Sequence, residues 1–371
     1  MTPDGARNGA PDGGAPDGGV RDGGAPDGGG PLVSVIVPNY NYAESLDLCL
    51  RSILDQTYPE IEILMVDDCS TDHSVAVAEA LGVRVVSTGR NGGCGRARNI
   101  GAAHTSGDLI CYVDSDLVLA PDAVTNAVRL ILADPKIGAV CGIEDPEPLL
   151  HDTVVARYRG LQYHYWSISS EGDVSFLFPA VCLLRRQIFE EIGPFNPELR
   201  HTEEVDYGYR LTRRYRLVLT SRVRGRHDHD HELRGLLRKL FHRGRLRIPL
   251  YARARRFGQG FETAARAWGS LAAFGTLPAL ALPLLLGPWG LVVPAGLLAA
   301  SLGCDAGMYG FVRRRHGLPF LAFFAGLHFL VNVTITAGVA TGTLQWLASG
   351  TFRRLYDASF PVDPTPLQGP A

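Results

Sequence analysis

Two short stretches of this sequence set carboxylates one residue apart, Asp114-Ser115-Asp116 and Asp228-His229-Asp230. Hard divalent cations take oxygen ligands, so either pair is a candidate cation site. Either is equally readable as the polar edge of a loop, and patterns this short arise by chance. A third group, Glu203-Glu204-Val205-Asp206 followed by Arg210, has the composition of a helix start, where the macrodipole favours negative charge. The glycine-rich "NGGCGRARN" puts Arg96 and Arg98 either close to a ribose or phosphate or on a solvated helix face. The run "HDHDH", residues 227–231, invites a zinc reading, but five adjacent residues cannot all turn toward one ion.

Position decides among these alternatives, and position comes from the elements around them. "LVSVIVP" (32–38), "EILMVDD" (62–68), "VRVVST" (83–88) and "DLICYVD" (108–114) read as strands; residues 42–56, 74–81 and 95–103 between them read as helices. Alternation of this kind predicts a parallel sheet with helices on both faces. Ligands then bind beyond the carboxyl ends of the strands, where the chain carries Pro38-Asn39-Tyr40-Asn41, Asp67-Asp68 and Asp114-Ser115-Asp116. No comparable strand leads into Asp228-His229-Asp230, so the first pair is the better metal candidate. Ser70, Thr71 and Asp72 are also good N-caps, which gives the second strand end a structural reading beside the binding one.

The segments "VSVIVPNYN", "QTYPEIEILMVDDCSTD", "NGGCGRARNIGAAHTSGDLICYVDSD" and "TEEVDYGYRL", in that order, resemble the successive signatures of family-2 glycosyltransferases, inverting enzymes on the GT-A nucleotide-sugar fold. The resemblance covers roughly residues 32–232 and implies a nucleotide-diphosphate sugar donor, a UDP-sugar by preference, and a Mg²⁺ or Mn²⁺ cofactor. It implies that Asp114 and Asp116 hold the ion, Asp116 foremost, and that His229, or His227, completes the shell. Asp68 would recognise the base, with Pro38, Tyr40, Arg98, Ser115, Glu203 and Asp206 as further substrate contacts. Where the family usually reads Glu-Asp this chain reads Glu203-Glu204, so the role of catalytic base falls to Glu204.

The remainder of the chain says where such a domain works. Residues 1–30 repeat an Ala-Pro-Asp-Gly-Gly unit and are expected to be disordered, with no secretory signal. The expected transferase domain is 31–233, followed by a basic juxtamembrane segment at 234–267, a transmembrane region at 268–350 and a tail at 351–371. Residues 269–304 and 317–352 contain no Asp, Glu, Lys or Arg, long enough in each case for one span or two short ones. Arginines flank both stretches, at 253, 255, 256 and 266, at 313–315, and at 353–354. With all of these cytosolic, each stretch crosses an even number of times, which favours four spans over three and a hairpin turn at Gly287–Gly290. The basic segment suits anionic lipid rather than nucleic acid, because few aromatics interleave it. Seven cysteines without a Cys-x-x-Cys pair read as reduced and structural.

The expectation is therefore a multi-pass cell-membrane enzyme with a cytosolic catalytic domain, adding a single sugar to a lipid-linked or glycan acceptor. A processive synthase would carry Gln-x-x-Arg-Trp after the base, which Gln345-Trp346 does not match. A noncatalytic scaffold would have no use for the retained acids, and a transporter would need more spans and more intramembrane charge.

Overall fold

The structure, a computed structural model, describes residues 29–254 and 263–357. The repetitive N-terminal segment, Arg255, Arg256 and most of the C-terminal tail lie outside the described residues.

In chain order the elements are β1 (Val33–Asn39), α1 (Ala43–Leu54), β2 (Ile61–Asp67), α2 (Ser74–Ala80), β3 (Arg84–Ser87), α3 (Cys94–Ala103), β4 (Leu109–Val113) and β5 (Leu117–Leu119). Then come α4 (Ala123–Ala133), β6 (Ile137–Asp145), α5 (Val154–Ile168), β7 (Gly172–Asp173), β8 (Val181–Arg185), α6 (Arg186–Ile192), α7 (Glu203–Leu211) and β9 (Arg216–His227). The strands form one sheet in the order β3-β2-β1-β4-β8-β6-β9-β5, with β7 also on β9. As the alternation predicts, β3, β2, β1 and β4 are parallel. Beyond β4 the sheet becomes mixed: β8 runs antiparallel to both β4 and β6, and β5 antiparallel to β9. All seven residues of β1 are buried, as a central strand covered on both faces requires. Leu46, Leu50 and Ile53 of α1 are buried with Val33, Val35 and Val37 on one side of the sheet, while Ile36, Ala97 and Tyr112 belong to the core on the other. Pro38 and Asn39, Asp67 and Asp68, and Asp114 thus fall at three neighbouring strand ends.

The chain continues through α8 (Leu233–Leu246), α9 (Ile248–Ala254), α10 (Ala264–Ala279), α11 (Pro283–Leu286), a 3₁₀ turn at Gly287–Leu291, α12 (Val292–Gly303), α13 (Ala306–Ala348) and α14 (Gly350–Arg353). Two segments, Pro283–Gly303 and Ala306–Ala348, are long and apolar enough to cross a membrane. The break between α10 and α12 includes the expected Gly287–Gly290 turn. The second apolar stretch departs from the four-span expectation. Gly317, at φ 77°, interrupts α13 just after the arginine cluster, but no second non-helical residue follows it in that helix. Tyr158 and Leu161 of α5 and Leu236 and Leu240 of α8 share a buried cluster with Phe324, Leu327 and Val331 of α13. The apolar helix is therefore packed against the α/β domain rather than set apart from it. None of the seven cysteines forms a disulfide.

Candidate active site

Asp114 and Asp116 sit on the turn between β4 and β5, closed by a bond from the Leu117 amide to the Asp114 carbonyl at 3.1 Å. Residues two apart on a straight strand share a face, and through the turn both carboxylates still line the same cavity. Pairing of β5 with β9 sets Leu117 opposite His227, and the Asp228 amide donates to the Asp116 carbonyl at 2.8 Å. The second Asp-x-Asp motif is thereby brought alongside the first. His227 Nε2 lies 3.2 Å from Asp116 Oδ1, and the ligand atoms of Asp114, Asp116 and His227 all lie within 4.8 Å of one another. Burial alone would lower the basicity of His227, but the carboxylates of Asp116 and Glu144 outweigh it and push its pKa up to about 10. A site that binds a proton this strongly is rich in negative charge, and two carboxylates and an imidazole form a donor set that fits a divalent ion.

His229, the first choice for the third ligand, is grouped differently. Its Nε2 lies 3.5 Å from Glu144 Oε2, in a second set made of Glu144, His227 and His229. Two residues beyond the β9 partner of Leu117, the chain has already passed the Asp116 turn, so geometry joins His227 rather than His229 to the aspartates. Asp228 turns the other way: it accepts from the amides of Leu150 and His151 and from His151 Nδ1 at 2.8 Å. Asp230 pairs with Lys239 at 2.7 Å.

Arg98 is 2% exposed and is held by two carboxylates, Asp114 at 3.0 Å and Glu203 at 3.1 Å. It lines the cavity, but its charge is spent on tying Asp114 to Glu203 at the start of α7. Asp68 is buried and accepts from Thr88 Oγ1 at 2.7 Å and from the amides of Gly92 and Gly93 at 2.9 and 2.7 Å. It thus holds the glycine-rich loop against the second strand end. Pro38, Tyr40 and Ser115 line the same cavity, with Tyr40 on its rim at 44% exposure. Asn41, at φ 60° in the left-handed region that asparagine tolerates, receives the amides of Thr71 and Asp72 and ties the first strand end to the second.

Glu203, Glu204 and Asp206 occupy the first turn of α7. Burial and the adjoining Glu204 carboxylate push the Glu203 pKa upward, against the pull of Arg98. Glu204 faces the cavity, with Oε1 3.7 Å from Arg247. Asp206 is not among the described cavity-lining residues; it bonds Arg210 at 3.0 Å, a turn further along α7. Of the sequence-derived candidates, Pro38, Tyr40, Asp68, Arg98, Asp114, Ser115, Asp116, Glu203, Glu204 and His229 share one cavity of about 900 Å³.

Sequence reasoning missed the far end of that cavity. Arg159 and Tyr163 on α5 line it, as do Arg243 and Arg247 one turn apart at the end of α8. The available signal was periodicity: Leu236, Leu240, Arg243 and Arg247 follow helical spacing on one face, so part of the arginine-rich run turns inward. Beyond the arginines the lining passes to Leu271 of α10 and to Ile335 and Val339 of α13.

Residues 34–193 match the model of the family described as glycosyl transferase family 2. The glycosyltransferase GlyG of Streptococcus pneumoniae serotype 4 is 28% identical over 180 residues, which is 43% of this chain and 59% of that protein. An uncharacterized glycosyltransferase of Haemophilus influenzae is 30% identical over 187 residues, 48% of this chain and 62% of that one. This chain thus spans about three-fifths of each of these relatives. Among solved structures, the mannosyltransferase PcManGT of Pyrobaculum calidifontis, in complex with GDP-Man and Mn²⁺, is similar in fold with a TM-score of 0.53 at 22% identity, covering 85% of this chain and 87% of that one. The α/β domain of GT-A fold thus carries, over residues 34–193, the match to glycosyl transferase family 2.

Proposed function

We propose that this protein is a membrane-bound inverting glycosyltransferase that moves one sugar from a nucleotide-diphosphate sugar to a lipid-linked acceptor, with its catalytic domain in the cytosol. The observation that carries the reading is the continuity of the cavity. A single space runs from Asp68 and Asp114 past Glu204 to the apolar side chains of α10 and α13, so a donor at the strand ends and an amphiphile from the membrane side meet at Glu204.

Asp114, Asp116 and His227 would hold Mg²⁺ or Mn²⁺, which when bound neutralises charge on the diphosphate. Arg98, bonded to Asp114 at 3.0 Å, fixes that carboxylate at the strand end. Asp68 holds the Gly92-Gly93 loop at the nucleoside end, where a UDP-sugar is the preferred donor. Glu204 accepts the proton of the acceptor hydroxyl as its oxygen attacks the anomeric carbon on the face opposite the departing nucleotide, which inverts that centre. The exposed side chains at the distal end support the membrane part of the reading: Leu284, Leu285 and Trp289 are 87%, 81% and 82% exposed, a cluster of a kind soluble surfaces avoid.

The test uses the purified full chain in neutral detergent. Binding and turnover of a panel of UDP- and GDP-sugars are followed with Mn²⁺ and with chelator, with membrane lipid extract as acceptor source. Metal-dependent binding of one donor and appearance of a glycosylated lipid are expected. Absence of donor binding across the panel would overturn the reading.

A further inference from the structure

We infer that the protein enters one leaflet of the bilayer without crossing it: α13 beyond its kink lies in the plane of the cytosolic surface, and the α10–α12 hairpin dips in from that side and returns. The partner is thus the cytosolic leaflet, with anionic headgroups around a shallow apolar insertion. The inference rests on the membrane reading above and is independent of the transfer chemistry.

Both ends of the long helix are tied to the α/β domain. Just before the Gly317 kink, Arg315 bonds Glu147 at 2.7 Å. Just after the helix, Tyr356 Oη bonds Thr202 Oγ1 at 2.8 Å and the Leu246 carbonyl at 2.9 Å. Residues 318–348 are about 46 Å of helix at 1.5 Å per residue, more than a hydrocarbon core of about 30 Å. A rod of that length pinned at both ends to one globular domain runs beneath it.

The neighbour of this helix gives the same answer. Gly338 and Gly342 press against the carbonyls of Phe241 and Arg245 on α8, while Gly244 packs on the Ile335 carbonyl, so the two helices lie side by side. α8 carries Arg234 and Arg238 exposed on its outer face. Carrying them across hydrocarbon would cost a few kcal/mol each, whereas at the headgroup level each contributes about 1 kcal/mol of attraction to anionic lipid. On the open side of α13, Phe323, Leu330, Leu344 and Leu347 are exposed, an apolar stripe suited to the acyl boundary. Arg313–Arg315 and Arg353–Arg354 then lie on the same side, as the distribution of positive charge asks.

The two regular helices of the hairpin are short, α10 at 16 residues and α12 at 12, about 24 and 18 Å at helical rise. The return arm is made up to 21 residues by α11 and the 3₁₀ turn. The bases of the two arms stay together: Arg266 Nε is 3.4 Å from Asp305 Oδ1, and Gly269 lies against Cys304. The hairpin's tip can sit in hydrocarbon because successive amides from Leu280 to Leu286 bond carbonyls three or four residues back, leaving few backbone groups to satisfy.

Single variants Arg314→Cys, Asp357→Cys and Leu285→Cys of the full chain, treated with a membrane-impermeant maleimide, read the topology. In intact cells none should react above the unsubstituted chain. In inside-out vesicles the first two should react, and Leu285→Cys only after detergent is added. Labelling of any of the three from outside intact cells overturns the inference. Flotation of the unsubstituted chain with vesicles of four parts phosphatidylcholine to one of phosphatidylglycerol, retained in high salt, supports insertion; a chain that stays in the supernatant overturns it. Failure of every donor assay, with these results intact, would remove the transferase reading and leave this one standing.

Discussion

At the scale of single residues the site is a competition for charge. Asp114 is bonded by Arg98, whereas Asp116 faces His227 with no guanidinium on its carboxylate among the described residues. Asp116→Ala should therefore abolish the Mn²⁺ dependence of donor binding in calorimetric titration, with the melting temperature little changed; full metal-dependent affinity in that variant would remove the assignment. His227→Ala should weaken Mn²⁺ binding and His229→Ala should not, because His229 is aligned with Glu144. Glu204→Gln preserves shape but cannot take a proton, so transfer should fall by about 10²-fold or more while donor affinity holds. Collapse of affinity with turnover preserved would make Glu204 a binding residue.

At the scale of elements, the contacts that matter are between segments distant in sequence. Beside α13, a Cβ on Gly338 would collide with the Phe241 carbonyl of α8. Gly338→Ala should separate the two helices at a cost of about 1–3 kcal/mol, read as a lower melting temperature in detergent. An unchanged melting temperature would mean the helices are not held at this point. The same scale explains what could be read beforehand. The four parallel strands and their terminal acids were legible because β-branched runs, helical spacing and turn residues alternate locally through Asp116. The antiparallel β8 and the β5–β9 pairing were not, since nothing in either segment names its partner. That is why the sequence left His229 and His227 both open as ligands: the register that sets Leu117 opposite His227 is what brings His227 beside the two aspartates. Apolar length was likewise visible, but whether such a helix crosses or lies flat depends on what its ends touch.

At the scale of the whole molecule, membrane placement and chemistry share one cavity. If the α13 surface lies at the headgroup level, the opening lined by Leu271, Ile335 and Val339 faces the acyl region, and an acceptor can reach Glu204 without leaving its leaflet. Three cations line the passage on successive turns of α8. Lys239 is paired with Asp230 at 2.7 Å and Arg247 stands 3.7 Å from Glu204; between them, Arg243 Nε is buried with no hydrogen-bond partner among the described residues. A buried guanidinium nitrogen without an acceptor is costly, and an anionic group on the acceptor, held beside its reacting hydroxyl, would relieve that cost. Arg243→Gln should therefore lower kcat/KM for the acceptor about tenfold or more, the equivalent of losing one charge-assisted hydrogen bond of about 1.5–3 kcal/mol, and should leave donor affinity in the presence of Mn²⁺ unchanged. Steady-state kinetics with lipid extract as acceptor, beside calorimetric titration of the donor, separates the alternatives. A loss of donor affinity equal to the loss in kcat/KM would move Arg243 to the diphosphate, because only a residue on the acceptor side can affect one substrate and spare the other.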